Sequence, residues 1–454
     1  MKFILTSVLF MAISLSYGQN PAITSWLQNT TETGSYYAAG NSTAVGNNIL
    51  VNCQQVEYSE DYAYITCTGV PAYPTGPFQD GNPSQATNQN AVYRFPLNPE
   101  PNTGNNTETT PGTIGVFING VSLYDYRDGV AWNPNTNALC GGPGNAPCPG
   151  GMGAENDWNR DAIPAESEGF DCAKGHPAMG NYHHHQNPTA FDLDQVEVSD
   201  VCNLYAADGL YVINPEVHSP LIGFAYDGYP IYGALGFTNV NGTGGITRMK
   251  SGYQLRNITE RTTHADGTSV DNGPNVSDTY RLGYFREDYE FILNDGEDYL
   301  DEHNGRFSVT PEYPEGIYAY FCTVDESYNS AYPYAVGPTF YGAYSNSSVN
   351  AVSETTTVYT GTNEINEGSM SKIQMNVYPN PASELVAIQV DNAFQTAMKV
   401  ELLDMTGKLV ESTVIARGST IAYFDLQKVY AGKYLVRVSG EATAITKELV
   451  IIKE

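Results

Sequence analysis

Four of the chain's seven histidines fall within ten positions, in the run Gly175-His176-Pro177-Ala178-Met179-Gly180-Asn181-Tyr182-His183-His184-His185. Alternate residues of a strand share a face, so His183 and His185 project one way while Tyr182 and His184 project the other. Two imidazoles at i and i+2 can grip one ion. Gly180 can turn the chain back so that His176 joins them, and His218, in Glu216-Val217-His218-Ser219, can supply a fourth. The expected metal ligands are therefore His176, His183, His185 and His218.

Imidazole suits zinc, copper, iron and nickel, whereas calcium and magnesium prefer oxygen. Three histidines with an open position suit a zinc-bound water, His with Asp suits iron, and three or four histidines suit copper. Copper and zinc rank level. The competing reading has the rings hydrogen-bonding inside a polar, Tyr-rich core with no ion. His184, on the opposite face, reads as a packed residue.

The other histidines carry weaker signals. His264 lies in Thr262-Thr263-His264-Ala265-Asp266-Gly267 and reads as a solvated loop residue. His303 is crowded by Asp295, Glu297, Asp298, Asp301 and Glu302 at a spacing that is not an EF-hand, so the stretch reads as a surface loop, with a hard-cation site as the alternative. In Asp227-Gly228-Tyr229-Pro230-Ile231-Tyr232-Gly233 the tyrosines read as packed around a bend. Asp227 is a candidate second-layer carboxylate that orients a ligating imidazole. The chain has no G-x-S-x-G elbow, H-E-x-x-H helix or phosphate-cradling loop. A carboxylate pair for glycoside hydrolysis stays open, because such a pair is close in space and not in sequence.

These residues need a scaffold. With 44 Gly, 26 Pro and 34 Tyr and few long apolar periodic stretches, the chain reads as many short strands joined by irregular turns, with little helix. The fold class is mainly β: a large irregular β-rich domain over 19–345, a polar linker over 346–372, and a small Ig-like β-sandwich of about seven strands over 373–454.

Residues 1–18 place Lys2 before an apolar run and end in small residues, the pattern of a secretory signal peptide. No later stretch approaches the roughly 18 apolar residues of a membrane-spanning helix. A net charge of -29 argues against nucleic acid as a partner. It suits cations, and calcium is kept as a secondary option.

Seven cysteines in an exported chain leave at least one thiol over. A hairpin centred on Glu60 sets Cys53 opposite Cys67, which favours a bridge there. Proximity suggests Cys140 with Cys148 and Cys172 with Cys202, leaving Cys322.

Two resemblances follow from particular residues. Tyr378-Pro379-Asn380-Pro381, Leu402-Leu403-Asp404-Met405-Thr406-Gly407-Lys408, Gly432-Lys433-Tyr434-Leu435-Val436 and Lys453 resemble the C-terminal sorting domain of the type IX secretion system of Bacteroidetes. That resemblance implies the secretion machinery as a partner, passage of the outer membrane, and release or attachment at the cell surface.

Tyr182-His183-His184-His185 and the stretch from His218 through Asp227 to Gly233 together resemble the YHYH-domain family. Gly175-His176-Pro177, Asp301-Glu302-His303-Asn304-Gly305-Arg306-Phe307, Thr310-Pro311-Glu312-Tyr313-Pro314 and Tyr318-Ala319-Tyr320-Phe321 extend the likeness over roughly 22–345. One departure is that the motif's third position holds His184 in place of Tyr. The family is named for its motif and implies no activity.

Three function classes stand at this point. The first is an extracellular metal enzyme, either a copper oxidoreductase or a hydrolase. The second is a surface protein that captures a metal, and the third is a metal-free carbohydrate- or surface-binding module whose tyrosines stack on sugars.

Overall fold

Strands dominate the protein, as seen in a computed structural model that describes residues 20–38, 41, 43–78, 80, 84–142, 144–151, 156–188, 210–211, 213–344, 347–360, 375–390, 397–404, 408–417, 419–439 and 444–453. The expected signal peptide and Cys202 lie outside the described residues. The fold is mainly β, and the chain divides into two units, Met1–Gly361 and Thr362–Glu454.

The first unit is organised by a mixed sheet. Its strands are β1 (Thr113–Phe117), β2 (Ser122–Tyr124), β3 (His176–Ala178), β4 (Asn181–His184), β5 (Leu221–Ala225), β6 (Pro230–Tyr232), β7 (Gly305–Ser308) and β8 (Ile317–Phe321). Their order across the sheet is β3-β4-β2-β1-β5-β6-β8-β7. Pairing is antiparallel except at β4–β2 and β6–β8. The central β5 and β6 are buried along their whole length, as continuous apolar strands require.

A second, antiparallel sheet runs in the order Ser348–Val349, Ala91–Pro96, Tyr62–Cys67, Cys53–Tyr58, Thr357–Val358. Its first and last strands fall inside the stretch expected as a linker. Phe95 of this sheet and Phe224 of the first lie 5.9 Å apart, and Trp26 packs on both, at 5.4 and 5.5 Å. The core of the unit therefore sits between the two sheets.

The tyrosines have a recurring task. Buried carboxylates need donors, and here tyrosine hydroxyls supply them: Tyr182 to Asp171 at 2.9 and 3.0 Å, Tyr318 to Asp301 at 2.8 and 3.0 Å, Tyr320 to Asp227 at 2.6 Å, and Tyr334 to Asp161 at 2.6 Å. Three of these tyrosines sit on strands of the sheet, so the bonds tie loops to the scaffold. Burial pushes Asp227 up to about 6 and Asp161 and Asp171 up to about 7, against the pull of those hydrogen bonds.

The cysteines require one correction. Cys53 and Cys67 are cross-strand partners, as the hairpin reading expects, but both are free thiols. A bulge follows Cys53, and each sulfur has a carbonyl of the Ile118–Gly120 turn to donate to, Ile118 at 3.6 Å and Gly120 at 3.4 Å. Cys140 and Cys148 form a disulfide, Cys172 is disulfide-bonded, and Cys322 is free and buried.

The second unit packs a sheet of Met375–Tyr378, Leu385–Val390 and Ile421–Asp425 with one of Leu409–Ile415, Met398–Asp404, Gly432–Ser439 and Ala444–Ile451, all antiparallel. Val386, Ile388, Phe424, Val400, Leu402, Val436 and Leu449 form its core, and Met398, Val400 and Leu402 alternate with more exposed residues. Asn380 clamps the last strand, donating to Glu448 O at 2.8 Å and accepting from Val450 N at 2.9 Å.

Candidate metal centre

The histidine cluster is a hairpin before it is a site. Met179 and Gly180 both take positive φ, 50° and 89°, the two-residue loop that matches the twist of paired strands. A Cβ on Gly180 would meet Thr87 Oγ1 at 2.3 Å, so the turn excludes a side chain as well as favouring glycine. The loop sets His176 directly across from His183, and β4 lies parallel to β2 with His183 opposite Ser122.

Strand alternation then divides the histidines. On one face, His184 donates Nδ1–H to Lys174 O at 3.1 Å and accepts from the Tyr73 hydroxyl at Nε2, 2.8 Å. Both of its nitrogens are engaged, with Phe117 and Tyr182 edge-on to the ring. His184 is a packed residue.

On the other face, the rings of His176, His183 and His185 converge, with centroids 4.5, 4.9 and 5.5 Å apart. All three are buried, and their ligand nitrogens lie within 4.8 Å of one another. Tyr124 stacks flat on His183 at 3.8 Å, and Phe170 meets His176 edge-on at 4.9 Å, which fixes the ring planes.

The tautomers follow from the partners. His183 Nδ1 is 2.9 Å from Asn181 O and His185 Nδ1 is 2.6 Å from Asp125 O. A carbonyl only accepts, so both Nδ1 atoms carry hydrogen, and each neutral ring is left with a bare lone pair at Nε2. Those two Nε2 atoms face each other at 3.1 Å. Burial, reinforced by the neighbouring imidazoles, pushes His176 down to about 3 and His183 well below the ordinary value, and burial alone pushes His185 down to about 4. Near neutral pH a proton is not what sits between them.

A carboxylate completes the ring of acceptors. Glu166 ends the short helix Ala162–Glu166, whose first turn is capped by Asp161 accepting from Ile163 N at 2.9 Å. Its Oε2 lies 3.4 Å from His176 Nε2 and 3.5 Å from His185 Nε2. Both Oε2 and His176 Nε2 are buried without a hydrogen-bond partner, although the Glu166 side chain as a whole is 28% exposed at the rim. Burial, with nearby acids adding, pushes this carboxyl up to about 8. Sequence reasoning missed Glu166, since Glu166 and Glu168 stand almost equally far from His176 in the chain.

The remaining expected residues lie elsewhere. The ring of His218 packs against Tyr232, Phe237 and Phe321, and its Nδ1 donates to Ser219 O at 2.7 Å. Asp227 accepts from Tyr320, Gly342 N and Tyr229 N, so it anchors the β5–β6 turn. His303 differs from the surface-loop reading: it is buried, with Nδ1 2.7 Å from Thr339 Oγ1, because the acidic stretch folds inward through Asp301. His264 pairs with Asp157 at 3.6 Å on the surface. Among the described residues, His176, His183 and His185 are the one group of three or more His, Cys, Asp or Glu whose ligand atoms converge in this way.

Residues 92–333, more than half of the chain, match the family model described as YHYH protein. Residues 376–453 match the model described as secretion system C-terminal sorting domain. No curated protein matches the chain.

Proposed function

The chain belongs to the YHYH protein family, and within that domain we propose a transition-metal centre in which His176, His183 and His185 hold zinc or copper. Its sorting domain directs export through the type IX secretion system to the cell surface or extracellular space. Residues 1–18 fit the leader that such a route begins with. The proposed domain limits are 19–345 for the cargo and 373–454 for the sorting domain.

One observation carries the metal reading: two imidazole lone pairs point at each other across 3.1 Å while both Nδ1–H groups are held by carbonyls. Such an arrangement is repulsive unless a cation lies between the rings, and the carbonyls play the part of the outer partners that orient ligating histidines. When bound, the ion supplies Lewis acidity. The protein's own contribution is three fixed imidazoles, aromatic walls formed by Tyr124 and Phe170, and the partly exposed side chain of Glu166 beside them.

Equilibrium dialysis of the full chain against zinc(II) and copper tests this reading. His176→Ala, His183→Ala and His185→Ala each weaken binding, whereas His218→Ala leaves it unchanged. Equal binding by all four variants and the parent chain contradicts the reading.

A second reading has its own support. A cleft of about 530 Å3 is lined by Tyr93, Tyr226, Tyr344, Thr113 and Asn181, with no charged side chain among the described residues of its wall. Tyr93 and Tyr226 are buried and only Tyr344 offers an exposed ring, so this polar cleft suits a neutral polyhydroxylated ligand held mainly by hydrogen bonds with Tyr344 at its edge. Calorimetric titration with neutral oligosaccharides such as xylohexaose and cellohexaose checks it, with Tyr344→Ala expected to abolish any heat and His183→Ala to leave it intact.

A further inference from the structure

We propose that Glu166 is the carboxylate ligand of this centre, giving a donor set of three nitrogens and one oxygen that selects a divalent ion such as zinc(II) over copper(I). The inference rests on the metal reading above and goes further by assigning the fourth ligand and the class of ion.

The geometry is that of neighbouring ligands. Two donors each about 2.1 Å from one tetrahedral ion stand about 3.4 Å apart. Glu166 Oε2 stands 3.4 Å from His176 Nε2 and 3.5 Å from His185 Nε2. A hydrogen bond to the protein would account for a carboxyl placed there, but among the described residues Oε2 has no such partner, and neither has His176 Nε2. Among the described residues these two buried polar atoms stand side by side with no hydrogen-bond partner, and an ion bound between them satisfies both.

The placement is built in. Asp161 caps the helix that ends in Glu166, and Asp161 is itself held by the buried Tyr334 hydroxyl at 2.6 Å. The site therefore carries a fixed carboxyl oxygen beside neutral nitrogens, and a bound divalent ion displaces the proton that burial otherwise favours on Glu166. Copper(I), a soft monovalent ion, is served by the imidazoles alone, whereas zinc(II) gains from the added charge and the harder donor. Glu166 thus acts on zinc and leaves copper(I) nearly indifferent.

The test compares the full chain with Glu166→Gln and Glu166→Ala. Zinc(II) and copper(I) affinities are read by chelator competition, and the cobalt(II)-loaded forms by visible absorption. Both variants should weaken zinc(II) on the order of tenfold or more, shift the cobalt band, and bind copper(I) as the parent does. Retained copper(I) binding shows that the imidazoles still converge, since a collapsed site loses both ions. Glu168→Gln should behave as the parent. Unchanged zinc affinity and cobalt spectrum in both variants, or equal loss of zinc and copper(I), overturns the assignment of Glu166 while the histidine centre stands. If the parent chain binds none of the three ions, the metal reading itself falls.

Discussion

Tyr334 donates a 2.6 Å hydrogen bond to the buried carboxylate of Asp161, and Asp161 in turn caps the helix that presents Glu166. One phenol thus links the segment following β8 to the rim of the histidine cluster. Removing a donor from a buried carboxylate leaves the acceptor to bear its desolvation alone. Tyr334→Phe is expected to destabilise the first unit by about 1–3 kcal/mol, read as a lower urea midpoint at unchanged slope. It should also loosen zinc binding without touching any ligand. Parent-like stability would show that the bond contributes nothing.

The cysteines give a chemical count. Cys53, Cys67 and Cys322 are free and buried, and Cys140, Cys148 and Cys172 are bridged. Alkylation of the denatured, unreduced chain should therefore label Cys53, Cys67 and Cys322, as read by peptide mass spectrometry. Labelling of Cys322 alone would mean that the Cys53–Cys67 hairpin closes.

Acid should act on the buried histidines together, and His218 is the one that can be tested apart from the cluster of His176, His183, His184 and His185. Burial among Tyr232, Phe237 and Phe321 pushes its ring down to about 4. The unfolded chain takes up this proton near pH 6.5 and the folded chain does not, so its contribution is complete above pH 6.5 and is lost as pH falls towards 4. Asp227, raised to about 6, works in the opposite sense, losing its contribution as pH rises from about 4 to 6. His218→Phe removes the first effect and keeps the second. Its urea midpoint should fall less than the parent's between pH 7 and pH 5, and an equal fall in both chains rules out His218 as a source of the acid sensitivity.

Much of the site was legible because its signals are local. The two-residue period of a strand places His183 and His185 on one face and His184 on the other, and Gly180 marks the turn that returns His176. The alternation in the C-terminal unit is equally local, and its sandwich could be read from it. What escaped is tertiary. Glu166 reaches the cluster only because Asp161 and Tyr334 fix its helix, a contact spanning 173 positions that no spacing reveals. His218 shares a family landmark with the cluster, but its ring packs in another part of the core. The register that pairs Cys53 with Cys67 is a backbone property that brings the two thiols into contact, but pairing does not by itself oxidise them, and both are free. Ser348–Val349 and Thr357–Val358 are too short and polar to stand out, and they become strands because the edges of an existing sheet accept them.

The most direct test of the central claim is the metal content of the full chain, exposed to zinc and copper, dialysed and measured by mass spectrometry before and after chelation, beside His183→Ala/His185→Ala. The expected result is a stoichiometric transition ion in the parent chain that chelation removes and the double variant never holds. Equally little metal in both chains contradicts it.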